Sequence, residues 1–261
     1  MLLNYKFKNF LSFREDVEFS MVAPKSKVKN RFSNNIISTN SGCDILKTAV
    51  IVGENAGGKS NFVRSLGYLR SFFQENKKVT SYMGGININN AKKGCGKDSN
   101  TLQVFDIEIC LHNTGFYHYH LEIDFIGIVK EELGYKEKQK QKYKRILSVS
   151  RGEAKFDCDG KEKECAGKNL CKLSGVVSYQ ISFPGMDPET EDAFGNAVNS
   201  QKQMGLFVTR LAILGYVHAF NFADWMTDYL CPETNEINYD LYKSLKSEDE
   251  DYIILNDPRY M

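Results

Sequence analysis

The sequence predicts an α/β fold with an added antiparallel β-subdomain and helices toward the C-terminus, and three observations carry that expectation. An apolar run, Ala49-Val50-Ile51-Val52, leads into the glycine-rich segment Gly53 to Ser60, and an amphipathic stretch follows at once. Two alternating runs, Phe105 to Leu111 and Tyr117 to Phe125, face each other across His112-Asn113-Thr114-Gly115, which has turn chemistry. From about Ser200 to Tyr229 the apolar residues recur at helical spacing.

Composition bounds the classes. The chain has 261 residues, 34 Lys plus Arg against 33 Asp plus Glu, and 42% hydrophobic residues. That is enough for one or two domains with a core that needs no staples. A net charge of +1 excludes binding to nucleic acid or acidic membrane through bulk charge, while a local patch survives that test. Aromatic content of 12% with 5 Pro excludes wholesale disorder. No apolar run approaches the roughly 18 residues of a membrane span; the longest, Leu211 to Val217, reads as a core segment, so no membrane partner is expected. The N-terminus alternates polar and apolar residues without a signal-peptide stretch. Seven Cys without close pairing suit reduced thiols, and a cytoplasmic location is expected.

Each element follows from local pattern. Leu3, Tyr5 and Phe7 alternate with Asn4, Lys6 and Lys8, a strand period, and Val17 and Phe19 suggest a second strand after the turn at Phe13 to Asp16. Ala23 to Gly42 is rich in Lys, Asn and Ser and reads as a surface loop. Ile45 to Val52 is expected to be one strand buried on both faces. A helix is expected from about Lys59 to Gln74, with Phe62, Val63, Leu66, Leu69, Phe72 and Phe73 on one side. Residues 76 to 100, with Gly84-Gly85, Gly94 and Gly96, read as a long loop. Tyr143 to Val149 and Ala154 to Phe156 suggest a further strand pair, followed by a polar loop from Asp157 to Lys172. In the helical segment Asn221 is expected to mark a break between two helices, and Tyr252 to Leu255 reads as a terminal strand.

Gly53-Glu54-Asn55-Ala56-Gly57-Gly58-Lys59-Ser60 satisfies G-x-x-x-x-G-K-[ST]. Glycines at such a turn let backbone N–H groups converge on phosphate oxygens, which bulky side chains would block. Lys59 is expected to reach the β- and γ-phosphates, and the Ser60 hydroxyl to ligate Mg²⁺, with the helix N-terminus adding its dipole. The strand before the motif and the amphipathic helix after it are the context this mechanism requires, so ATP with Mg²⁺ is the expected ligand.

The motif lies late in the chain, behind a strand pair and a long loop. Lys6-Phe7-Lys8-Asn9-Phe10-Leu11-Ser12-Phe13, taken with Gly53 to Ser60 and Asn61, resembles the start of a RecF/SMC-like ABC-type ATPase. More closely, it is similar to the bacterial AAA family ATPase group allied to the overcoming-lysogenisation-defect proteins. Tyr117, Tyr119, Leu121, Ile123 and Asp124, then Ile128 to Tyr135, look like that group too. The resemblance implies a P-loop NTPase ABC-type head, of which residues 1–261 form the N-terminal part. Within it 1–75 carry the strand pair, loop and helix, 101–157 an inserted antiparallel β-subdomain, and 200–230 a helical segment. It further implies a nucleotide-driven conformational or dimerisation cycle, a homodimer or a partner protein such as a nuclease or toxin, and a role in phage defence or DNA maintenance. By the same analogy the first strand pair closes over the adenine side, which brings Asn9 and Ser12 near the nucleotide.

ABC-type hydrolysis needs an apolar strand ending in Asp-Glu to hold Mg²⁺ and activate water. His120-Leu121-Glu122-Ile123-Asp124 alternates and belongs to the hairpin, so it is rejected. Leu173-Ser174-Gly175 matches part of a signature motif, but Val176 to Gln180 reads as strand. No catalytic residue is therefore assigned. The competing class is a non-hydrolysing nucleotide-binding regulatory or split-gene subunit that needs a partner chain. A P-loop kinase is disfavoured by the late loop and the absence of an Arg-rich lid.

Other constellations have plainer readings. His118 and His120 share a strand face with Glu122 and Asp124; such a pair can ligate a metal, but pairing across to Asp106 and Glu108 is the better expectation. Cys158, Cys165 and Cys171, with six and five residues between them, lack zinc-site spacing and read as free thiols. Lys136, Lys138, Lys140, Lys142, Lys144 and Arg145 form a basic run that suits a solvated hairpin tip, with a nucleic-acid backbone as the alternative. Glu248-Asp249-Glu250-Asp251 reads as acidic surface. Trp225, Phe220 and Phe222 are expected to pack a terminal helix into the core rather than to bind a partner.

Overall fold

The N-terminal alternation does form a strand. In the computed structural model, β1 (Leu2–Lys8) buries Leu3, Tyr5 and Phe7 and leaves Lys6 in solvent. The structure describes residues 1–24, 33–39, 41–55, 57–74, 79–82, 102–111, 114–124, 126–152, 156–157, 172–173, 177–183, 188–199, 205–230 and 252–253. β2 (Val17–Ser20) follows, then the short strands β3 (Ile36–Ser38), β4 (Asp44–Leu46) and β5 (Ala49–Val50). Helix α1 (Lys59–Gln74) comes next, then the long strands β6 (Gln103–Leu111), β7 (Gly115–Ile123), β8 (Ile128–Lys136) and β9 (Lys144–Arg151). β10 (Phe156–Asp157), β11 (Lys172–Leu173) and β12 (Tyr179–Ser182) precede α2 (Pro188–Asn199), α3 (Phe207–Ile213) and α4 (Val217–Asp224). A π-helical turn (Trp225–Tyr229) extends α4, and β13 is Tyr252–Ile253.

Seven strands make one sheet in the order β12-β9-β8-β7-β6-β1-β2, and every neighbouring pair is antiparallel. The fold is thus mixed α/β, with a seven-stranded antiparallel sheet and C-terminal helices. The N-terminal pair and the 101–157 strands belong to the same sheet, because Tyr5 lies opposite Ile107 and Phe7 opposite Phe105. Alternation drives this: each strand turns one side chain in two toward the helices.

The helices cover one face. α1 lays Phe62 against Tyr5 and Phe7, each at 5.9 Å between ring centroids. Its C-terminal end sets Phe73 against Tyr119 at 5.6 Å and against Phe222 of α4 at 5.8 Å. Arg70 donates to the Thr227 carbonyl at 2.8 Å and 3.3 Å, tying α1 to the π-helical turn. The other face is polar. Register aligns Lys6, Asp106, His120, Glu132, Ser148 and Ser182 in one row across six strands.

Several expectations change. The run Ile45 to Val52 is not one buried strand: it bends after Leu46, only Ala49–Val50 continue as β5, and Val50 and Val52 are 54% and 68% exposed. β5 lies outside the main sheet and pairs with β13, the described part of the terminal strand expected at Tyr252 to Leu255. The break in the C-terminal helices falls at Gly215 (φ +86), not at Asn221, since glycine alone takes that backbone angle without a steric cost. β9 pairs with β8 and β12; of its expected partner 154–156, Phe156 pairs instead with β11, and 154 and 155 lie outside the described residues. β3 interrupts the expected 23–42 loop by pairing Ile36 and Ile37 with β4. β8 and α2 have no counterpart in the sequence-based elements.

Trp225 and Phe222 pack inside as expected, at 4% and 0% exposure, whereas Phe220 is 55% exposed. No helix among the described residues is long and apolar enough to cross a membrane.

Candidate functional site

The glycine-rich loop runs from the end of β5 into α1. Gly58 opens the helix: its carbonyl accepts the Phe62 N–H at 2.9 Å, the first bond of the α-helical ladder. The N–H groups of Lys59, Ser60 and Asn61 therefore have no partner inside the helix, and the helix dipole adds positive potential there. α1 carries no acidic residue in its first turn, so nothing on the helix itself competes for that potential.

Two glycines are required by their surroundings. A Cβ on Gly57 would sit 2.8 Å from the Glu54 carbonyl, to which Gly57 already donates its N–H at 2.9 Å. Gly58 has φ +95, and a Cβ there would meet the Phe13 ring at 2.7 Å and the Ser12 hydroxyl at 3.3 Å. Gly53 is freer, with only the Lys59 side chain at 3.9 Å. Bare backbone at these turns is what close approach of an oxyanion needs.

Lys59 reaches back over the loop and donates to the carbonyls of Gly53 at 2.8 Å and Glu54 at 3.3 Å. The same reach would carry its ammonium to an anion held in the loop. Gly53, Glu54, Asn55, Gly57 and Ser60 are exposed, and Lys59 and Asn61 are half-buried. Ala56 lies outside the described residues.

The β1–β2 turn braces the loop. Asn61 donates to the Ser12 hydroxyl at 2.9 Å, and the Phe13 ring backs Gly58. The turn holds an unusual backbone: Asn9 (φ 58) and Leu11 (φ 50) are left-handed non-glycine residues, and Phe10 and Phe13 exchange backbone bonds of 2.9 Å and 3.0 Å. Such conformations persist only where the surroundings impose them. Of the two residues the analogy brings near the nucleotide, Ser12 stands at the loop. Asn9 is buried and donates to the Leu102 carbonyl at 3.2 Å. Phe13 was not among the expected site residues, although it closes the Lys6 to Phe13 segment on which the resemblance rests.

The weaker constellations sort themselves out by bonding. Asp106 accepts from His118 at 2.9 Å and pairs with His120 at 3.0 Å, and His120 also meets Glu122 at 2.9 Å. Burial works to lower His120, but its bonds to Asp106 and Glu122 prevail and push it up to about 9. Burial likewise works to raise Asp106, yet the two imidazoles hold it well below the usual carboxylate range. Glu108 goes elsewhere, to Asn4 at 2.6 Å, to Tyr143 and to Lys136 at 3.5 Å. Among the described residues no group of three or more His, Cys, Asp or Glu is arranged to hold a metal ion.

Asp124, the rejected hydrolytic candidate, is 5% exposed and committed to structure. It accepts a fork from Arg151, one arm at 2.8 Å, and the N–H groups of Ile126 and Gly127 at 2.9 Å and 3.1 Å. Ser174 and Gly175, the three loop cysteines, and the acidic run 248–251 lie outside the described residues.

No family model, curated protein or solved structure matches this chain.

Proposed function

We propose that the chain binds Mg-ATP at residues 53–61 and that occupancy of this loop drives a conformational or dimerisation change. The observation that carries the reading is the pair Gly57 and Gly58, where any side chain collides with loop backbone or with Phe13, at the N-terminus of a 16-residue helix that also presents Lys59. Glycine-lined N–H groups, a helix dipole and a lysine ammonium together suit a polyphosphate. The groups present fit the metal in one respect: Ser60, exposed on the first turn, offers the hydroxyl that would hold Mg²⁺ brought in with the nucleotide, whose phosphates and waters complete its shell.

The architecture we favour is the N-terminal part of a RecF/SMC-like ABC-type head, in which a second copy or a partner protein, such as a nuclease or toxin, completes the machine. The motif order and the strand pair that braces the loop support this assignment. Phage defence or DNA maintenance is the setting that resemblance implies. A second reading, a non-hydrolysing regulatory or split-gene subunit, is favoured by Asp124: the acid that follows β7 is bound to Arg151 rather than free to serve hydrolysis.

Equilibrium binding of labelled ATP tests the core of the proposal. Lys59→Ala should weaken binding by about a hundredfold, in line with loss of a charge-assisted contact. Equal binding by the variant would refute the site. Turnover by the isolated chain would favour the ATPase over the regulatory reading.

A further inference from the structure

The basic run between β8 and β9 is not absorbed by the ATP reading. Its first member, Lys136, is held down on the polar face of the sheet: it stacks on Tyr143 at 4.0 Å, pairs with Glu108 at 3.5 Å, and its side chain is 10% exposed. The others are different. Lys138, Lys140, Lys142, Lys144 and Arg145 are all exposed, and no described carboxylate pairs with any of the four lysines. Arg145 makes only a loose contact with Glu132 at 3.7 Å. Glu137 is the single acid in the run.

The tip is ordered. Gln141 donates its N–H to the Lys138 carbonyl at 3.0 Å, and the Gln141 side-chain oxygen accepts the Lys138 N–H at 3.1 Å, closing a reciprocal turn. Gln139 reaches the Cys43 sulfur at 3.4 Å, and Tyr143 is pinned to Glu108, so both flanks are anchored to the body of the protein. A chain with net charge +1 thus gathers five like charges on one held projection. Together they raise the local positive potential of the tip, which a polyanion complements.

The chemistry of the tip selects among polyanions. Residues 137–142 read Glu-Lys-Gln-Lys-Gln-Lys, with no apolar side chain to enter a bilayer or to fill a pocket on a protein. Lysine and glutamine are donors suited to phosphate oxygens, and charge on a narrow projection fits a groove edge or a single strand. We propose that the β8–β9 tip is a sequence-independent docking site for a nucleic-acid phosphate backbone, contacted through Lys138, Lys140, Lys142 and Lys144.

The test is fluorescence anisotropy of the full chain, without nucleotide, against a labelled 20-bp DNA duplex and a 20-nucleotide single strand across a salt series. Omitting ATP keeps the result independent of the phosphate loop. The triple variant Lys138→Gln, Lys140→Gln, Lys142→Gln copies the tip's own neighbouring residues and removes only charge; its unfolding midpoint should match the parent. The expected result is binding that weakens with salt, and a variant at least about tenfold weaker near 100 mM salt, with its log–log salt slope reduced by roughly 2 to 3. Absence of binding by the parent at low salt overturns the proposal, as does equal affinity of parent and variant. Binding to phosphatidylserine vesicles with no binding to either nucleic acid also overturns it and assigns the tip to a lipid surface.

Discussion

Gly58 and Gly42 share a left-handed backbone, with φ +95 and +82, but only one of them has neighbours to answer to. Around Gly42 nothing lies within 4 Å of a built Cβ, so Gly42→Ala should cost only the backbone term of about 1 kcal/mol. Gly58→Ala adds a collision with Phe13 and should cost clearly more, about 2–4 kcal/mol, and weaken ATP binding besides. Urea denaturation of the two variants checks the difference. Gly58 itself was legible from spacing, because the motif requires a glycine there. The partner that enforces Gly58 was not, since Phe13 arrives from another strand pair. Glu131 is the opposite case. It is wholly buried, accepts the N–H groups of Phe207 and Val208 at 2.9 Å each, and accepts the Tyr119 hydroxyl at 3.1 Å. Burial pushes its carboxyl up to about 7, against the helix-end bonds that favour the anion. The folded value lies above the ordinary 4.5, so the folded state holds the proton more tightly. Stability from this group is complete below about pH 4.5 and is lost as pH rises through 7, by about 3 kcal/mol. Glu131→Gln should flatten that decline in a series of chemical denaturations between pH 4.5 and 8.

The same glutamate explains an element that sequence reading missed. β8 places Glu131 and Leu133 inward with a bulge after Leu133, so an acid occupies a core position and the apolar alternation disappears. The β6–β7 hairpin shows the contrast: Phe105, Ile107, Ile109 and Tyr117, Tyr119, Leu121 are apolar at every inward site, and its register was readable from the turn outward. On the outer face, the His118–Asp106–His120–Glu122 group joins β6 to β7 by charge rather than by packing. His120 is raised above its ordinary 6.5, so its contribution is complete below about pH 6.5 and fades as pH climbs through 9. That contribution has a ceiling of about 3 kcal/mol, reduced by solvent screening at a side chain that is 20% exposed. Thermal melts of His120→Ala should be lower than the parent at pH 6 and converge with it near pH 10. The C-terminal helices illustrate a different limit. Their period was plain, but Gly215 breaks them through a backbone angle that hydrophobic spacing does not encode.

At the scale of the molecule, the glycine-rich turn and the helix it opens were legible because they lie within one short segment. The sheet was only partly legible, because β1 joins β6 and β9 joins β12 across long intervening segments that carry no local sign of the pairing. The run before the loop misled for a physical reason: Ala49 to Val52 has the composition of a central strand, yet Val50 and Val52 are more than half exposed. Composition states what a strand tolerates on its two faces, and neighbours decide what covers them. Glu131 finally bears on the order in which the chain assembles. The residue at the start of α3, Leu206, has no capping side-chain bond, and the carboxyl that accepts the Phe207 N–H in its place comes from 76 residues before Phe207. That helix is too short to persist alone, so its first turn stays open until β8 has found its register. Docking of residues 205–230 is therefore expected to follow sheet pairing, after the entropy of closing those long intervals has been met.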